Sequence, residues 1–174
     1  MLTGIKNWFF YNAFKRTERP KGLDNRGINP LHSICILFDG TLESDLNSVK
    51  KFKKLLSIGN RSIQSLAFIA TQDSMDNIDY PAYNLKNISW YGLPTGEKVS
   101  EFTQFKGDIL IVLCTSMLPH FEYIIAHSEC KFVIGPSIKK AEKYFDIIVA
   151  LSDEDQTEQL INKVLTAIDK IAIK

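Results

Sequence analysis

The stretch FKGDILIVLCTS, residues 105–116, decides how this chain is read. After Asp108 the residues Ile109, Leu110, Ile111, Val112 and Leu113 run into Cys114 with no polar interruption. A strand wetted on one face alternates apolar and polar side chains, whereas one covered on both faces reads as a continuous apolar run. Residues 108–114 are therefore expected to form a buried strand, entered from Lys106-Gly107 and left at Thr115-Ser116. Directly afterwards Leu118, Phe121, Ile124 and Ile125 recur at helical spacing. Pro119 suits the first turn of that helix, where an N–H would have no intrahelical partner.

Working outward, the same unit repeats. Residues 33–38 (SICILF) form another buried run, punctuated by Asp39-Gly40-Thr41. Leu42, Leu46, Val49, Phe52, Leu55 and Leu56 then mark a helix with Lys50, Lys51, Lys53 and Lys54 around it, stopped by Gly59-Asn60. Residues 65–70 (SLAFIA) are a second run, residues 71–86 read as a polar loop or a short irregular element, and residues 88–91 as a short strand closed by Gly92 and Pro94. A strand at 131–134 ends at Gly135-Pro136, and a short helical segment over 139–145 leads to a last strand at 146–151. Ser152 or Asp153 is the expected cap of a final helix whose apolar face is Leu160, Ile161, Val164, Leu165 and Ile168. Strands alternating with helices imply a three-layer, Rossmann-like α/β fold: a mainly parallel sheet of five to six strands with helices on both faces.

Composition sets the outer limits. With 174 residues, 45% of them hydrophobic, the chain fits one domain and excludes general disorder. No run approaches the ~18 apolar residues of a membrane span. The three cysteines, Cys35, Cys114 and Cys130, are an odd number in apolar surroundings, which suits a reducing, cytoplasmic compartment better than a disulfide framework.

Charge is unevenly spread. Residues 1–27 carry six basic residues (Lys6, Lys15, Arg16, Arg19, Lys21, Arg26) against Glu18 and Asp24, a net +4. The overall balance of 21 basic and 20 acidic residues then leaves fifteen against eighteen, or −3, for the rest. Residues 1–27 are accordingly a basic amphipathic segment appended to a single α/β domain at 28–174. On a helix, Ile5, Trp8, Phe9 and Ala13 share one side and Phe10 and Phe14 extend it, before Pro20 and Gly22 end the pattern. The apolar stretch is too short for a signal peptide. Lys6, Trp8, Phe9, Phe10, Phe14, Lys15, Arg16 and Arg19 are the candidate contact residues, for a membrane surface, for RNA or for a protein partner. The alternative is that this face packs onto the protein's own sheet or onto a second copy. Nothing points to DNA.

The motifs that would announce catalysis are incomplete. LFDGTLESD at 37–45 resembles the first motif of haloacid dehalogenase-like phosphatases, in which the nucleophilic Asp stands two residues before a second Asp. Here Asp39 matches the second Asp, but Leu37 occupies the nucleophile position, so no aspartyl-phosphate can form. Asp39 is expected to cap a helix or shape the turn. Neither a Gly-x-Gly-x-x-Gly fingerprint nor a phosphate-binding Gly-x-x-x-x-Gly-Lys loop follows a strand, so no cofactor is expected. His32, His120 and His127 lack zinc-ligand spacing, and no metal is expected; His120 and His127 are read as exposed or cap-associated. Cys114, at a strand end before a helix, is placed where a helix dipole would favour a thiolate, but cysteines at buried strand ends mostly serve packing, and that is the role expected of it.

Geometry supplies what motifs do not. Ligands of open parallel sheets bind beyond the carboxyl ends of the strands. The candidate ligand-binding residues are therefore Asp39, Gly40, Thr41, Thr71, Cys114, Thr115, Ser116 and Ser137. No basic residue stands at these tips; Lys139 and Lys140 come just past the last one, which disfavours an anionic substrate.

Residues 105–137, with Asp108, the run from Ile109 to Leu113, Ile124, Ile125 and Gly135, resemble part of the N-terminal domain of heptosyltransferase-type glycosyltransferases. That resemblance implies a Rossmann-like fold and involves no catalytic residue. The whole chain resembles a family of short, stand-alone bacterial proteins of unknown function. The matching outline is the basic leader, Trp90-Tyr91-Gly92, Phe105-Lys106-Gly107-Asp108, Lys131-Phe132-Val133-Ile134-Gly135 and Tyr144-Phe145-Asp146. The sequence thus points to a non-enzymatic binding or interaction protein using its basic aromatic leader. The alternative is a small transferase or hydrolase, a glycosyltransferase-like half-domain, with Asp39, Thr115 and Ser116 at its site.

Overall fold

In the computed structural model, which describes residues 2–14, 31–152 and 156–172, the two strongest apolar runs lie side by side at the centre of one sheet. Strand β1 (Ser33–Asp39) pairs in parallel with β4 (Ile109–Leu113), Ile34 opposite Ile109 and Phe38 opposite Leu113. Outward on one side lie β2 (Ser62–Ile69) and β3 (Ala82–Asn84); on the other lie β5 (Phe132–Pro136) and β6 (Ile147–Val149). Among the described residues this makes a six-stranded sheet in the order β3-β2-β1-β4-β5-β6, every neighbouring pair parallel. The chain winds outward from β1, returns to the middle and winds outward the other way, so the order reverses between β1 and β4.

Helices cover both faces because alternate strand residues point to opposite sides. Ile34, Ile36 and Phe38 of β1 and Ile109, Ile111 and Leu113 of β4 face α2 (Glu43–Leu56) and α5 (Thr157–Ala172). That layer is completed by Val49, Phe52 and Leu56 and by Leu160, Ile161, Val164 and Ile168. On the opposite side Cys35, Leu37, Leu110 and Val112 meet Val99 and Phe102 of α3 (Glu97–Gln104) and Phe121, Ile124 and Ile125 of α4 (Pro119–His127). Leu42 and Leu55, expected on the buried face of α2, are instead exposed, at the cap and on the flank of the helix.

Several expected elements are differently placed. The third strand is Ala82–Asn84, inside the stretch read as loop or short irregular element; residues 88–91 contribute only an isolated antiparallel bridge between Ile88 and Pro94. Helix α3 carries just three buried residues, Val99, Phe102 and Thr103, too few for the periodicity to stand out. The segment at 139–145 holds only a 3-10 turn, Ala141–Lys143. Ser152 precedes α5 by five residues and does not cap it, and Asp153 lies outside the described residues.

Two aspartates lock the amino ends of the strands. Asp108 Oδ2 accepts hydrogen bonds from the His32 and Ser33 amides at 2.9 and 3.0 Å and from Ser33 Oγ at 3.1 Å. Its other oxygen takes Lys131 Nζ at 2.7 Å. Asp146 repeats the device one strand over, accepting from the Val133 amide at 2.8 Å. Each charge-assisted bond satisfies a backbone donor that the ladder leaves open. At the other end of β5, Gly135 is required by packing: a Cβ there would lie 2.5 Å from the Phe145 ring.

Helix α1 (Leu2–Phe14) is attached through Phe10, which is 6% exposed and lies against Gly92, where a Cβ would come within 3.7 Å of the ring. The opposite side of α1 is turned outward.

Candidate functional site

The carboxyl ends of the strands bring most of the expected ligand residues to one edge. Asp39 Oδ1 accepts from the Thr41 amide at 3.0 Å, so it shapes the turn; the cap position of α2 is Leu42, which makes no side-chain bond. Thr41 Oγ1 accepts the Ala70 amide at 3.0 Å, and the Gly40 amide donates to the Phe68 carbonyl at 2.8 Å. These bonds tie the tip of β1 to that of β2. Thr71 Oγ1 donates to Asp73 Oδ2 at 2.9 Å, and Ser137 Oγ accepts the Leu151 amide at 2.8 Å. Three of the five hydroxyls at the tips therefore hold loops together. Thr115 and Ser116 differ: both are exposed and their hydroxyls bond to none of the described residues.

The surroundings of Cys114 disfavour a thiolate. Helix α4 starts at Pro119, so its dipole is a full turn away, and Cys114 is 6% exposed. Burial first, and then the negative charge of Asp39, push its thiol up to about 12. Its burial suits the packing role usual for a cysteine at a buried strand end.

His120 is neither exposed nor a cap. It is buried, with its Nδ1 2.7 Å from the Tyr83 hydroxyl and its ring 4.3 Å, between centroids, from Phe68. Burial lowers its pKa to about 4, against the opposing pull of Asp39, so the imidazole is uncharged at neutral pH. Burial, with Asp39 adding to it, raises the Tyr83 phenol, which stays protonated. The result is a buried neutral pair against Phe68 on the β2–β3 side of the sheet, close enough to the Asp39 carboxylate to feel its charge. Nothing in the local sequence announces it, because Tyr83 comes from a three-residue strand and His120 from a helix 37 positions later. His127 is separate, bonded through Nδ1 to the Tyr123 carbonyl at 2.8 Å and stacked on that ring. Among the described residues no group of three or more His, Cys, Asp or Glu is placed to hold a metal.

Leu37, standing where a phosphatase would have its nucleophile, is fully buried. Among the described residues, the tips thus offer a carboxylate and two unbonded hydroxyls, a set suited to hydrogen-bonding a neutral hydroxylated molecule.

The second candidate surface is α1. Its outward arc exposes Ile5 (51%), Trp8 (61%) and Tyr11 (57%), with Gly4, Lys6 and Asn12 also exposed. Ile5 and Trp8, which the periodicity grouped on one face, are both more than half exposed. Phe10, counted with them as a contact residue, is the anchor on the other side. The side chains of Phe9 and Phe14, and Lys15, Arg16 and Arg19 altogether, lie outside the described residues.

The strand order and the two helical layers define a three-layer, Rossmann-like α/β protein. Residues 6–168 match a family of unknown function (DUF6913), and the chain belongs to that family. The match starts inside α1, so residues 6–14 of that helix fall within the extent of the family. No curated protein matches the chain, and the likeness of residues 105–137 to heptosyltransferases rests on the outline of its elements alone. Among the described residues, no helix is long and apolar enough to cross a membrane.

Proposed function

We propose that this chain acts by binding and that the outward arc of α1 is its contact surface. The observation that carries this reading is the exposure of Ile5, Trp8 and Tyr11 together on a helix whose other side is seated by Phe10. Single exposed apolar residues, such as Ile58 here, are ordinary on any protein. Apolar side chains clustered on one exposed side of a helix and flanked by a cation are how interaction sites look. A photo-crosslinking amino acid at position 8 should yield specific adducts in the producing cell, with none from position 58. Equal adducts, or none, at the two positions would overturn the reading.

A second reading is favoured by one arrangement: the uncharged Tyr83–His120 pair next to Asp39, with the unbonded Thr115 and Ser116 on the same edge. In it the strand tips form the site of a small transferase or hydrolase acting on a neutral, hydroxyl-rich substrate. Sugars that raise the melting temperature of the wild type but not of Asp39→Asn would support it. Indifference of both proteins to a broad sugar panel would remove it.

A further inference from the structure

We infer that the outward arc of α1 seats on an anionic lipid surface; the inference rests on the binding reading above and names its partner. Charge complementarity points there. The net +4 of residues 1–27 is joined to a body of −3, so a negatively charged plane attracts the leader and turns the rest of the chain away. The arc has the composition of an interfacial helix. Trp8 and Tyr11 have rings that are apolar with a polar edge, the side chains that settle at the headgroup level, and Ile5 supplies aliphatic depth. At roughly 100° per residue, Lys6 falls between Ile5 and the anchored Phe10, at the border of the arc, where its stem can lie along the surface and its ammonium reach a phosphate. Trp90, two residues before the Gly92 that seats Phe10, is a second exposed tryptophan, at 56%. A single-stranded nucleic acid fits less well, because it needs successive aromatic faces interleaved with cations. Here Ile5 and the polar Asn12 interrupt the aromatics, so the arc offers no run of stacking faces.

The test uses the full chain, floated with vesicles of phosphatidylcholine alone or mixed with phosphatidylglycerol. Binding should be about ten-fold or more stronger on the anionic vesicles and weaken with added salt. Ile5→Ser/Trp8→Ser/Tyr11→Ser should abolish it while circular dichroism shows the sheet and its helices still folded, since all three side chains are more than half exposed and Tyr11 touches the body only through the edge of the Phe10 ring. Absence of flotation, equal flotation on both vesicle types, or tighter binding to polyuridine than to lipid would overturn the inference. If flotation is absent but the triple variant converts a self-associated chain to monomer in sedimentation, the membrane assignment falls and the α1 reading survives. If the triple variant alters neither property, both fall.

Discussion

Replacing Asp108 with Asn should destabilise the fold by an amount that depends on pH. The carboxylate sits one residue before β4 and binds the start of β1 through His32 and Ser33 and the start of β5 through Lys131. Burial by itself pushes this carboxyl up; the bonds from Lys131, the His32 and Ser33 amides and the Ser33 hydroxyl outweigh it and hold the group at about 2, against an ordinary 3.8. At about 1.4 kcal/mol per pH unit, that difference is worth about 2 kcal/mol at neutral pH. Because the folded value is depressed, the stabilisation is complete above the unfolded value and disappears as pH falls through the folded one. Linkage leaves about half of it at pH ~3. Urea unfolding of wild type and Asp108→Asn should therefore differ by about 2 kcal/mol at neutral pH, or about 4–8 °C in melting temperature for a chain of this size, and by about 1 kcal/mol at pH ~3. Lys131→Gln should cost less than about 1 kcal/mol, because its side chain is 70% exposed and its contribution is screened. An Asp108→Asn penalty that is absent, or identical at both pH values, would refute the reasoning.

Two further outcomes follow from the packing. His120, with its pKa lowered from 6.5 to about 4 by burial, binds no proton in the folded state until strongly acidic pH, so stability should fall by up to about 3 kcal/mol between about pH 6.5 and 4. His120→Gln should flatten that stretch of the profile, and a slope unchanged by the substitution would contradict the assignment. Gly135→Ala should cost about 1–3 kcal/mol by driving a methyl into the Phe145 ring, and Phe145→Leu should recover part of the loss; additive penalties in the double variant would show that the two sites do not collide.

How much of this was legible follows from where each signal is stored. The runs at Ile34–Phe38 and Ile109–Leu113 are continuous because both faces of those strands are covered, so the sheet's centre could be read directly. The edges could not. In β3 only Tyr83 and Asn84 are buried, whereas Ile88, which looked like strand, makes a single bridge. The tips were legible as a place, since topology sets where they fall, but not as a chemistry. Whether Cys114 is a thiolate depends on where α4 begins, and whether His120 is charged depends on Tyr83, Phe68 and Asp39, all distant in sequence. For α1 the periodicity found the face, but which side meets the body was decided by Phe10 and Gly92, a contact between residues over eighty positions apart.

The claim that α1 presents its outward arc to an anionic membrane interface is tested most directly by the emission of Trp8. The chain has two tryptophans, so Trp90→Phe leaves Trp8 as the sole reporter, starting from 61% exposure. On adding vesicles containing phosphatidylglycerol, its emission should shift to the blue and be quenched by brominated acyl chains. Emission that stays red and unquenched at saturating lipid would contradict the account.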